Sequence, residues 1–572
     1  MIIQQENSKP CLVDTGQGLS VLYKNRLLYS KYNPKAAAEK MAESIELKED
    51  TLVLCFSPVL GYGLDILQKR LPKGSFAMAI EANTELYKLY DKNTLPPGIA
   101  FISPDSLKKI PCYLSRLEQK ASNGVFIPSP GSFKRCIRLD FSGGTIFENS
   151  TYTAIHNNVT EIIAAYWKNR MTLVKLGRLY NRNIFRNLWK LPFCKEIKTG
   201  RITKPILVMG AGPSANKASE YLRNLSKTER SCIYIIAVDA AIGTLLNQGI
   251  TPDAAVAQEC QYAIQQAYAQ AIDSNIFILA DLTSRHSILE QKNDLLPKTM
   301  KSITGGDFAF YITDFADTYF LRNLKKQDIM PLQLPPLGSV GITATELALK
   351  LRANNSVPVM VVGLDFSFPA GITHAKASPQ FQKMLFSTTR LKPAGNPSAA
   401  FSETAQAITE TLPKIYTDYT LNRYAMIFSA RYNSVPALYK IDLSPKDLGI
   451  PSITINQFIQ FASKINTETT STKKSKNSII SIEKIIEFYS KEEEALLKLK
   501  KNLIYGGASE SELKDLLFKR EYLFLHFPDG HTPSLESQFL KRVRAEIDFF
   551  LKDIAISKEK LKIAFKTANK NT

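Results

Sequence analysis

The chain has 572 residues and a net charge of +20, with 44% hydrophobic and 22% charged residues. That length predicts two or three separate cores rather than one. The composition is that of a soluble globular protein, and no stretch reaches the roughly 20 uninterrupted apolar residues that a membrane span needs.

The start, Met1-Ile2-Ile3-Gln4-Gln5-Glu6, has neither the basic residues nor the apolar run of a secretory signal, which predicts a cytoplasmic protein. Residues 51–56 read as a buried strand, followed by a loop holding Gly61 and Gly63, a helical run over 64–71 and a second strand over 76–80 that ends in Glu81. This is the outline of a mononucleotide-binding half, but its glycine pattern is incomplete. Residues 1–150 are therefore expected to form a Rossmann-like domain that scaffolds rather than binds. Seven cysteines (Cys11, Cys55, Cys112, Cys136, Cys194, Cys232, Cys260) lie singly, with no CxxC pair, so neither a disulfide framework nor a zinc site is predicted.

Residues 151–204 turn helical and basic and are expected to connect two domains, with Trp167, Val174, Leu179, Ile184 and Leu188 for packing. Between Tyr166 and Lys204 stand eleven basic residues against one acid, Glu196. Such a block is either a footprint for something anionic or a solvated helix face. It belongs to no helix-turn-helix, zinc-finger or RNP-type pattern, so nucleic acid is not expected as a partner.

From 205 to 465 the alternation of strands and helices is clear. Strands are predicted at 206–209, 234–238, 254–257, 276–280 and 357–362, and a helix at 342–352, which implies a mostly parallel, doubly wound sheet. Residues 466–477 are a polar linker, and three helical stretches over 478–572 predict a helical C-terminal domain, the last with Thr532 as N-cap before Pro533.

In an open parallel sheet the ligand sits beyond the carboxyl ends of the strands, so the residues just after each strand are the ones that matter. Gly210-Ala211-Gly212-Pro213-Ser214 is a tight turn whose backbone amides and serine hydroxyl suit a phosphate. The third glycine of a dinucleotide fingerprint is missing, since Asn216 and Lys217 occupy its place, which counts against NAD. The acids Asp239, Glu259, Asp281 and Asp365 end four strands; they either hold a ligand or magnesium, or merely bind backbone amides. Gly338-Ser339 opens a second helix, as a clamp or as a plain N-cap. Of five histidines, His374 lies nine residues beyond Asp365, where a general base would stand.

Together, the GAGPS turn, Val238-Asp239-Ala240-Ala241-Ile242 followed by Gly249-Ile250-Thr251-Pro252-Asp253, Gly338-Ser339-Val340, Gly363-Leu364-Asp365-Phe366-Ser367 and Thr373-His374-Ala375 resemble one family. It is that of the motility-associated factor (Maf) flagellin glycosyltransferases, whose central domain is also similar to MptE-like 6-hydroxymethylpterin diphosphokinases. The lead-in Asn181-Arg182-Asn183-Ile184-Phe185-Arg186-Asn187-Leu188 resembles that family too. The resemblance implies a central domain related in fold to bacterial sialyltransferases, a CMP-activated nonulosonic acid (pseudaminic or legionaminic type) as co-substrate, and flagellin Ser or Thr as acceptor. Carried over by position, Gly210, Gly212, Pro213, Ser214, Asp239, Gly338 and Ser339 would hold the nucleotide, Asp365 would stand beside the sugar and His374 would take the acceptor proton. Leu337 replaces the first glycine of the family's usual Gly-Gly-Ser-Val, which leaves the backbone approach at that clamp open. Magnesium is possible but not required by these residues. The rival expectations are a magnesium-dependent pyrophosphokinase and a non-catalytic flagellin-binding module.

Overall fold

The computed structural model describes residues 9–90, 95–115, 120–290, 301–392, 394–464, 480–531 and 533–569. The predicted linker 466–477 and the predicted N-cap Thr532 lie outside them. The chain divides into two compact units, Met1–Lys175 and Leu176–Thr572, with the division falling inside the helix Asn149–Leu188. Among the described residues no helix is long and apolar enough to cross a membrane.

The first unit opens with a small antiparallel sheet of β1 (Cys11–Asp14), β2 (Leu19–Tyr23) and β3 (Arg26–Leu27). A four-stranded parallel sheet follows, made of β4 (Thr51–Phe56), β5 (Phe76–Ile80), β6 (Ala100–Ile102) and β7 (Arg135–Asp140) in the order β6-β5-β4-β7. Every residue of β4 is buried, which is why the sequence shows a continuous apolar run there and no alternation. The strand order reverses beside β4, where a nucleotide would lie, and there the acid that follows β5 is engaged by protein groups. Glu81, 1% exposed, accepts hydrogen bonds from Ser57 Oγ (3.1 Å), the Asn83 amide (2.9 Å) and the Tyr152 hydroxyl (2.9 Å). A Cβ on Gly144 would stand 2.3 Å from Ser57 Oγ.

Burial pushes the Glu81 carboxyl up to about 7, against the hydrogen bonds that favour its charged form. A carboxyl held above its unfolded value stabilises the fold at low pH and loses that contribution as the pH rises through the folded value. The first unit is therefore expected to lose up to about 3 kcal/mol of stability between about pH 4.5 and about pH 7, and Glu81→Gln to abolish the slope. Urea unfolding followed by Trp167 fluorescence in a Trp189→Phe background measures it.

The second unit is built on a nine-stranded sheet, parallel at every pairing, in the order β13-β12-β11-β10-β9-β8-β14-β18-β19. The strands are β8 (Ile206–Met209), β9 (Tyr234–Val238), β10 (Ala254–Ala257), β11 (Phe277–Asp281), β12 (Phe308–Thr313), β13 (Leu332–Leu334), β14 (Val359–Val362), β18 (Leu438–Ile441) and β19 (Ser452–Ile453). Between β14 and β18 an insert carries its own antiparallel sheet of β15 (Phe368–Pro369), β16 (Gln406–Ala407) and β17 (Ile415–Thr417). The parallel α/β class expected from the sequence is the one found.

The helices Ile482–Tyr505, Glu510–Phe518 and Ser537–Asn569 share the core of this sheet. Phe185 is packed among Phe320, Phe488, Tyr522 and Phe550, with ring centroids 5.2–6.3 Å away. The asparagines beside it tie down the loops after β10 and β11. Asn183 Nδ2 donates to the carbonyls of Cys260 (3.0 Å) and Thr283 (2.8 Å), and Asn187 Nδ2 to those of Leu282 (3.0 Å) and Ser284 (2.9 Å).

Five of the eleven cations of the basic block form ion pairs within this unit. Arg178 pairs with Glu546 (2.9 Å), Arg182 and Arg186 with the buried Asp553 (3.4 and 2.6 Å), Lys190 with Glu290 (3.0 Å) and Lys195 with Asp307 (3.8 Å). Lys190 is buried in its pair and Arg186 mostly so, whereas Arg178 and Lys195 keep much of their side chains in solvent. Their carboxylates come from distant parts of the chain, so local charge counting could not pair them.

Candidate functional site

The strand order reverses between β8 and β14, and both strands end in glycine-bearing loops that touch. The Gly210 amide donates to the Val362 carbonyl and the Gly212 amide to the Gly363 carbonyl, each at 2.8 Å. A Cβ on Gly210 would lie 2.3 Å from the Gly363 oxygen, and one on Gly212 2.7 Å from Asp365 Oδ2. These glycines are demanded by the neighbouring loop.

Beyond the two loops opens a cavity of about 760 Å³. Of the residues singled out from the sequence, Gly210, Gly212, Asp239, Ser339, Asp365 and His374 line it. Strand ends at 209, 238 and 362 bring the first three and Asp365 together. The helix Val340–Leu351 brings Ser339.

Ser214 does not line the cavity, and its donors are already taken. Its amide donates to Asp365 Oδ2 (2.7 Å) and its hydroxyl to Asp365 Oδ1 (2.5 Å), while the Gly363 amide donates to Ser214 Oγ (3.1 Å). Asp365 thus occupies the start of the helix Ala215–Arg223, where a phosphate was expected. Pro213 lies in the same turn, also off the cavity lining. Burial raises the Asp365 carboxyl to about 6, opposed by the Ser214 hydrogen bonds and the Lys440 cation.

The second helix start is different. Ser339 sits in the N-cap position of Val340–Leu351 but its side chain makes no capping bond, and Ser339, Val340 and Gly341 all line the cavity. Gly338 directs the chain there at φ +76°, beside Tyr424. A helix of this length offers amide donors and the positive end of its dipole to an anion. Asp239 follows β9 and accepts from the Ala240 amide (2.7 Å); burial raises its carboxyl to about 6. His374 Nδ1 is 3.1 Å from Thr373 Oγ1, and burial lowers its pKa, so the imidazole is neutral near pH 7.

Two of the four strand-end acids do not line this cavity. Asp281 is fully buried and accepts from the Thr283 amide (2.8 Å), the Thr283 hydroxyl (2.7 Å), the Thr313 amide (3.0 Å) and the Thr313 hydroxyl, which staples β11 to β12. Glu259 accepts from the Gln261 amide (2.8 Å) in its own turn. An acid after a strand reads the same in sequence whether it faces a ligand or a neighbouring strand.

Sequence reasoning missed the outer wall, which comes from the insert. Gln380, Asn396, Ser402 and Thr404 line the cavity there, with Asp418 beyond. Only Asp418 carried a usable signal, since it caps the helix Tyr419–Tyr432 by accepting from the Leu421 amide (2.8 Å). The described lining contains three carboxylates and no lysine or arginine. Among the described residues no group of three or more His, Cys, Asp or Glu is placed to hold a metal ion.

A family model for the 6-hydroxymethylpterin diphosphokinase MptE-like domain matches residues 180–371, which take in the paired asparagines, β8 to β14 and the two glycine loops. A protein of Treponema pallidum (strain Nichols), described as uncharacterized, is 30% identical over 567 residues, spanning 95% of this chain and 94% of that one. The structure of the Maf glycosyltransferase from Magnetospirillum magneticum AMB-1 superposes with a TM-score of 0.52 over 98% of this chain and 93% of that chain, at 13% identity. At that identity the likeness is one of fold, and it matches the Maf and MptE-like resemblance carried by the motifs.

Proposed function

We propose, for a chain that belongs to one family with the Treponema pallidum protein, contains an MptE-like region and has the Maf glycosyltransferase fold, that it is a glycosyltransferase using a nucleotide-activated sugar. The observation that carries this is the cavity at the β8/β14 reversal, where an uncapped helix start, three carboxylates and a neutral histidine meet. The donor is a CMP-activated nonulosonic acid of pseudaminic or legionaminic type, and the acceptor is a Ser or Thr hydroxyl of flagellin.

The amides at Ser339–Gly341 take the anionic part of the donor, and Asp239 accepts from a ribose hydroxyl. The acceptor oxygen attacks the anomeric carbon, the bond from that carbon to the phosphate oxygen breaks, and CMP departs with the bonding pair. The acceptor proton passes to His374. In the tautomer whose Nδ1–H donates to Thr373 Oγ1, Nε2 keeps the lone pair that receives it. The helix start stabilises the charge that grows on the leaving phosphate.

Metal dependence separates this reading from the magnesium-dependent pyrophosphokinase: transfer that survives chelation supports the glycosyltransferase, and strict magnesium dependence with a diphosphate product supports the kinase. Flagellin from cells lacking this gene is expected to lose the mass of one or more nonulosonic acid residues, read by intact-mass spectrometry. An unchanged mass overturns the assignment of flagellin as acceptor.

A further inference from the structure

The walls of the cavity differ in chemistry. The inner wall is made by the strand ends and the helix start: backbone amides, glycines and the carboxylates of Asp239 and Asp365. The outer wall is made by the insert: the amide and hydroxyl side chains of Gln380, Asn396, Ser402 and Thr404 are uncharged, and Asp418 adds a third carboxylate that further disfavours an anion on this side. Between them the methyl of Ala399 and the ring of Phe368 line the same space.

Electrostatics fixes which end of a donor goes where. The uncapped helix start at Ser339–Gly341 is the anion-favouring feature of the lining, so phosphate and sugar carboxylate belong there. What extends toward the insert must be neutral and rich in hydrogen-bonding groups, because it meets amide and hydroxyl side chains and nearby carboxylates. A polyhydroxylated, acylamino-bearing sugar ring has that chemistry, and its acyl methyl matches Ala399 and Phe368.

The insert is tied to the segment that leaves β14 at several points. β15 pairs with β17, Thr417 Oγ1 donates to the Phe366 carbonyl (2.8 Å), and the Asn396 amide donates to the Gly371 carbonyl (2.9 Å). That last bond fixes Asn396 beside the strand-exit segment that carries His374.

We infer that the insert between β14 and β18 reads the hydroxyl and acylamino groups of the donor sugar, with Asn396 and Thr404 as specificity-determining residues. This rests on the glycosyltransferase reading. Isothermal titration of the full chain with CMP and with CMP-pseudaminic acid tests both. Wild type is expected to bind the sugar nucleotide more tightly than CMP. Asn396→Ala and Thr404→Val are each expected to weaken the sugar nucleotide by about 3- to 10-fold while leaving CMP unchanged. Unchanged affinity for the sugar nucleotide, or equal weakening of CMP, overturns the inference. A wild-type chain that binds CMP but gains nothing from the sugar overturns it too, with the nucleotide-binding reading intact. A chain that binds neither ligand removes the glycosyltransferase reading and the inference with it.

Discussion

Replacing His374 with alanine is expected to lower turnover by about 10²- to 10⁴-fold, with little change in KM for the donor. The effect falls on turnover because a base that removes the acceptor proton acts in the transition state and not on the bound donor. Burial lowers the pKa of His374, so wild-type activity should be flat near neutrality and fall as the pH drops below the ordinary histidine range. The alanine variant should lose that acid limb. Asp239 and Asp365 line the same cavity with carboxyls raised to about 6, so their titration overlaps the histidine's. Asp239→Asn and Asp365→Asn separate the contributions: neither should remove the limb if His374 is the base. A folded His374→Ala enzyme with wild-type transfer to flagellin would show that the base is elsewhere.

The sequence made the parallel sheet legible because its strands are buried on both faces and so appear as uninterrupted apolar runs, as at Ile206–Met209 and Tyr234–Val238. Loop positions were equally legible, which is why six of the residues singled out converge on one cavity. Their hydrogen-bond partners were not. Ser214 and Asp365 are 151 positions apart, and nothing in either motif says that one satisfies the other. The basic helix misled for the same reason, since the carboxylate that joins Arg182 and Arg186 is Asp553. The insert was invisible in a different way: its strands are two or three residues long and its cavity-lining side chains follow no period, so no pattern set them apart from an ordinary loop.

The touching loops give the second large effect. Gly363 has φ +72°, and a Cβ placed on it would meet the Gly210 oxygen at 2.3 Å and the Gly210 carbonyl carbon at 2.7 Å. Both obstacles are backbone, so no side-chain rotation relieves them. Gly363→Ala therefore adds a steric cost of about 1–3 kcal/mol to the roughly 1–2 kcal/mol of placing a non-glycine residue in the left-handed region. The loops must also separate, which pulls Asp365 away from Ser214 and distorts the cavity floor, so donor binding should fall together with stability. Gly249 is the matched control in the same unit: φ is +71°, and no atom lies within 4 Å of the place a methyl group would take. Gly249→Ala should cost only the conformational share. Chemical denaturation of the two variants decides between packing and conformation: equal losses would mean that the close approach of the two loops carries no energy, while an excess of about 1–3 kcal/mol at Gly363 places the constraint in the contact itself.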